Sequence, residues 1–121
     1  MKKFRDKDDF KHRVLEWAEK MDVKVRGLAV RPMRAKWASY STAGSLQFST
    51  DLLNLDREVG DYVIVHELLH FSVPNHGKLW KSLMRAHLGD YERLENKLRK
   101  VAGPSRATAL RQSILSQNIP R

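Results

Sequence analysis

The segment His66-Glu67-Leu68-Leu69-His70 gathers two imidazoles and a carboxylate into one short run. On a helix, side chains four residues apart leave nearly the same face, one turn apart. Two neutral imidazoles so placed can share one Zn2+ ion. Glu67, next to the first of them, is placed to draw a proton from metal-activated water, whose pKa the ion lowers towards roughly 7. The competing reading is a pair of core histidines satisfied by hydrogen bonds. Against it, the flanking Val63-Ile64-Val65 and Leu68-Leu69-Phe71 describe a buried helix, where three titratable groups without a use would be costly.

A catalytic zinc site usually takes three protein ligands and keeps one position open. His76 is the first candidate for the third, six residues after His70 and across the turn-forming Pro74-Asn75. Glu92 or Glu95, further downstream, is the alternative. Asp61 or Asn75 can orient ligands, although capping and turn formation explain them nearly as well. Tyr40 is a candidate donor to a developing oxyanion. Trp37 and Trp80 read as core anchors, and His12 and His87 as surface or core residues, with His87 a candidate for orienting a ligand.

The elements that must hold these residues are legible in outline. Phe10, Val14, Trp17 and Met21 form one apolar stripe of a helix over Asp6–Met21. Val23–Arg31 has strand character with a shift at Gly27. Trp37–Ser41 and Ser45–Thr50 read as two short strands around a turn. A long helix is expected from Asp56 to Phe71 and a second through Leu79–His87 with Gly89 as its stop. A third, capped by Asp90, carries Leu94, Leu98 and Val101. The class is α+β: an N-terminal helix, a small antiparallel-type sheet, an active-site helix and further helices. Residues 1–103 form one domain in this reading, and 104–121 a basic, weakly helical or disordered tail. Ser45–Thr50 is a candidate sheet edge to which an extended peptide adds as a further strand.

Composition excludes several alternatives. The chain has 121 residues, 41% hydrophobic and 31% charged, with no cysteine. Disulfide scaffolds, thiolate metal sites and cysteine nucleophiles are therefore out, and any metal site must use His and carboxylate. No apolar run approaches a membrane span, and the N-terminus lacks the apolar stretch of a signal peptide, so the expectation is a cytoplasmic protein without a membrane partner. The formal charge is +9. Between Val23 and Thr50 stand Lys24, Arg26, Arg31, Arg34 and Lys36 without one acid, a field that suits polyanions, nucleic acid among them.

At this point a likeness is visible. Asp61-Tyr62-Val63-Ile64-Val65-His66-Glu67-Leu68-Leu69-His70, then Asn75-His76-Gly77-Lys78-Leu79-Trp80, resembles the YgjP-like zinc metallopeptidase domain, which reads D-Y-V-x-x-H-E-L-x-H and then N-H-S-x-x-F-W. Lys36–Leu46 is similar to that family's R-W-G-S-C-S-x-x-G-x-I segment. The family is in turn similar to SprT-like proteases, some of which act on DNA-associated proteins. The resemblance implies a compact zincin-like fold, His66, His70 and His76 as zinc ligands, and Glu67 as general base. Ala38, Tyr40, Gly77 and Leu79 depart from the pattern; none removes a ligand, and Tyr40 would alter the substrate cleft. The leading expectation is a zinc metallopeptidase acting on a peptide or protein substrate. The alternatives are a metal-dependent hydrolase of nucleotides or phosphoanhydrides, and a nucleic-acid-associated module with a structural metal. Oligomeric state is left open.

Overall fold

The computed structural model describes residues 2–34, 36–41, 43–73 and 77–102. Helix α1 spans Lys7–Lys20. It starts where the Asp6 carboxylate accepts a hydrogen bond from the Asp9 N–H at 2.8 Å, which satisfies one of the donors a helix start leaves unpaired. Its apolar stripe, Phe10, Val14 and Trp17, is buried.

Three short strands follow: β1 Gly27–Arg31, β2 Ala38–Tyr40 and β3 Ser45–Ser49. The strand expected from Val23 begins only at Gly27, where the alternation shifts. The sheet order is β1-β3-β2, which corrects two expectations. The sheet is mixed rather than antiparallel throughout: β1 runs parallel to β3, with Leu28 beside Leu46 and Val30 beside Phe48, whereas β2 is antiparallel to β3. And Ser45–Ser49, expected at an edge, is the central strand. The cause is chain routing. From β1 the chain crosses to the far side, forms β2, and the turn before Ser45 then feeds β3 into the gap. A parallel pair needs such a crossover, whereas β2 and β3 need only a hairpin.

The register places Leu28, Val30, Ala38, Leu46 and Phe48 on one face, turned toward the helices. After a 3-10 turn over Thr50–Asn54 comes α2, Arg57–Leu69. It is buried on nearly every side from Val59 to Leu69. Gly60 permits part of that burial, because a Cβ there would run into the Phe4 ring, which seals the core with Phe10 and Phe48. Helices α3, Lys78–Leu88, and α4, Tyr91–Ala102, complete the helical layer. Gly89 stops α3 at φ 68°, a conformation that favours glycine. Asp90 caps α4 by accepting from the Arg93 N–H at 3.3 Å. The class is α+β, as expected. No described helix is long and apolar enough to cross a membrane. The tail expected from residue 104 onward lies outside the described residues.

Candidate active site

Helix α2 carries the motif. Its regular hydrogen bonding ends at Leu69, one residue before His70, which keeps α-helical angles of φ −66° and ψ −17°. The last turn tightens: the N–H groups of His70, Phe71 and Ser72 donate to the carbonyls of Glu67, Leu68 and Leu69, three residues back rather than four. His66 and His70 therefore still share a face. Their ring centroids are 5.7 Å apart and their planes differ by 34°. Both side chains are buried, as is Glu67 between them.

Each imidazole is held by aromatic neighbours from other elements. The Trp80 ring of α3 meets His66 edge-on at 5.0 Å, so Trp80 is a core anchor that also walls the site. Tyr40, on β2, stacks nearly parallel on His70, with centroids 5.6 Å apart and planes 7° apart. Phe71 meets the same tyrosine edge-on. Tyr40 thus links the sheet edge to the motif.

Sequence reasoning overlooked Tyr62. Its hydroxyl lies 3.2 Å from His66 Nδ1 and donates to Glu95 Oε2 at 3.1 Å. A phenol has one proton. Burial, reinforced by Glu95, pushes the Tyr62 pKa well above its ordinary value, so that proton stays on and points at the carboxylate. The oxygen lone pair then accepts from Nδ1–H of His66, and Nε2 is the ring atom that carries a lone pair. The available signal was the spacing: Tyr62 precedes His66 by four residues on a helix, where side chains face each other.

Glu67 is the most exposed to electrostatic penalty. It is 1% solvent-accessible, and neither carboxylate oxygen has a hydrogen-bond partner among the described residues. Burial pushes its pKa up to about 8, with Lys36 pulling in the opposite direction. A carboxylate removed from water without a partner is relieved by a nearby cation, and two imidazoles on the same helix face are good donors for one. The donor set fits a divalent metal. Among the described residues, no group of three or more His, Asp or Glu is placed to hold an ion; His76 and Asn75 lie outside them.

The other candidates sort by location. Glu92 is exposed and pairs with Arg85 at 3.5 Å. Glu95 connects to the site through Tyr62. Asp61 accepts from Arg13 Nε at 2.7 Å, from Arg13 again at 3.0 Å and from Trp17 Nε1 at 3.0 Å, so it fastens α1 to α2 rather than orienting a histidine of the motif. His12 is exposed beside Glu16, and His87 meets Trp17 edge-on. Trp37 is buried in the core.

Comparison with known proteins shows the family and the fold. The chain matches the YgjP-like metallopeptidase domain over residues 1–101. Among solved structures it is similar to the metallopeptidase zymogen jannalysin of Methanocaldococcus jannaschii. That match has 26% identity and a TM-score of 0.70, covering 76% of this chain and 95% of that one. It also shares the fold of the metallopeptidase zymogen abylysin of Pyrococcus abyssi, at 16% identity and a TM-score of 0.67, covering 76% and 93%. A comparison with curated proteins gives no match. Neither nucleotide hydrolysis nor a purely structural metal is favoured by these likenesses. The chain belongs to the YgjP-like family of metallopeptidases, metal-dependent hydrolases that cut peptide bonds.

Proposed function

We propose that the metal is zinc, held by His66, His70 and His76, and that Glu67 is the general base. The observation that carries this reading is the buried carboxylate of Glu67, unpartnered among the described residues, on the same helix as two imidazoles that share a face. His76 enters on its spacing from His70 and on the resemblance of Asn75-His76-Gly77 to the family pattern. Residues 1–103 form the catalytic domain.

When bound, zinc supplies Lewis acidity, lowering the pKa of water and polarising the scissile carbonyl. The Glu67 carboxylate receives a proton from the attacking water and delivers it to the departing amine nitrogen. Tyr40, whose ring covers His70, donates a hydrogen bond from its hydroxyl to the developing oxyanion. The substrate peptide lies extended along β2. That strand is the edge of the described sheet beside α2, and backbone pairing there needs no side-chain match.

Metal analysis tests the assignment. About one zinc per chain is expected, lost in His70→Ala and in His76→Ala but kept in Glu67→Gln, whose turnover should fall roughly 10²- to 10⁴-fold. Zinc retained at full stoichiometry in His76→Ala would remove that residue from the ligand set.

A further inference from the structure

On the face of the sheet turned away from the helices, the residues are small or polar. Ala29, Ser39, Ser45 and Gln47 share it by the strand registers, and Arg31 ends it. At its corner the segment between β1 and β2 borders a groove of about 320 Å³, whose lining includes Arg31, Met33, Arg34, Lys36, Ser39 and Gln47. All three cations are exposed. Gln47 accepts from Arg31 Nε at 3.0 Å, which holds that guanidinium over the face. Among the described residues no carboxylate pairs with Arg31 or Arg34, and no acid occurs anywhere between Val23 and Thr50. Lys36 lines the groove beside Ser39 of β2.

The position of this groove relative to β2 gives it a consequence for substrate choice. In an extended strand, successive side chains point to opposite faces. A peptide added along the edge of β2 therefore sends alternate side chains to the Tyr40 face, toward α2, and the others to the Ser39 face, on which the groove lies. We infer that the Arg31–Arg34–Lys36 groove selects acidic side chains, so that the enzyme prefers substrates with Asp or Glu at alternating positions in phase with Ser39. Charge complementarity argues for it: a single-sign field next to a strand-docking edge raises the local concentration of peptides of opposite sign and penalises basic ones. The inference rests on the reading of β2 as the docking edge.

The test uses the full chain loaded with zinc and carrying Glu67→Gln, so that bound peptide is not consumed. Fluorescent peptides differing only as Glu-x-Glu, Gln-x-Gln and Lys-x-Lys are titrated by anisotropy at low and at high salt. The Glu peptide should bind roughly tenfold tighter than the Gln peptide at low salt, and the advantage should shrink as salt rises. Adding Arg31→Glu and Arg34→Glu should invert the order, with the Lys peptide binding best. Equal affinities, no binding of the Glu peptide, or an unchanged order after charge reversal would overturn the inference. So would a single-stranded oligonucleotide that binds through Arg31 and Arg34 while the peptides show no charge preference, since the groove would then be a nucleic-acid site. Cleavage of a neutral peptide by the unmodified enzyme is scored separately. Its failure counts against the peptidase mechanism, not against the charge preference.

Discussion

The Tyr62 hydroxyl stands 3.2 Å from Nδ1 of His66 and donates its hydrogen bond to Glu95. A neutral imidazole presents its Nε2 lone pair to a metal when the proton sits on Nδ1, and this contact favours that tautomer. Tyr62→Phe keeps the ring and its packing but leaves Nδ1 without this acceptor. Zinc affinity should fall about 10- to 100-fold, as read by competition with a chromogenic chelator, with little change in the urea midpoint. An unaltered affinity would mean that the tyrosine only fills space.

Glu67 ties metal to pH. Its pKa is about 8 in the folded chain against an ordinary 4.5, so the folded state holds the proton more tightly than the unfolded one. The stability it contributes is present in full below pH 4.5 and is lost as pH rises through about 8. Protein stripped of metal should therefore become less stable across that interval, by a few kcal/mol, whereas stripped Glu67→Gln should change much less. Urea titrations in chelator at several pH values give the comparison. In zinc-loaded protein the same substitution should cost roughly 10²- to 10⁴-fold in kcat.

Asp61 offers a contrast. Its three hydrogen bonds all run to α1, so Asp61→Ala strands a partly buried guanidinium and an indole N–H. A loss of about 2–3 kcal/mol is expected, with zinc affinity unchanged at temperatures where the variant is folded. Lower affinity in the folded variant would instead give Asp61 a part in orienting the histidines.

Tyr40 separates stacking from chemistry. Tyr40→Phe preserves the ring over His70 and removes only the hydroxyl. If that hydroxyl stabilises the oxyanion, kcat falls about 10²-fold with KM nearly constant. Steady-state kinetics on one peptide decides it, since a pure KM effect would assign the hydroxyl to substrate binding.

Glu58 bears on acid stability. Hydrogen bonds from Arg93 and Lys97 hold its pKa down to about 2, and they join α2 to α4. Its stabilisation is present above the unfolded value of 4.5 and is lost as pH falls through about 2. Glu58→Gln should flatten part of the stability decline over that range, modestly, because the carboxylate is partly exposed. Chemical unfolding at pH 3 and pH 7 measures it.

What the chain declares locally came through well. The four-residue spacing of His66 and His70, the Asp90 cap, the Gly89 stop and the apolar stripe of α1 all depend on neighbours within about one helical turn. So does the family pattern, which is written in contiguous residues. What remained hidden depends on residues far apart in sequence. Asp61 finds Arg13 across 48 residues and Tyr62 finds Glu95 across 33, and no periodicity encodes such partners. The central place of Ser45–Ser49 follows from how the chain crosses the sheet before the hairpin returns, which its own residues do not encode. The sequence by itself determined that two imidazoles and a carboxylate would share one buried helix, because helical geometry is local. Only the tertiary structure decided which strand borders them, which tyrosine holds His66 and where the cations gather, because those are matters of long-range packing.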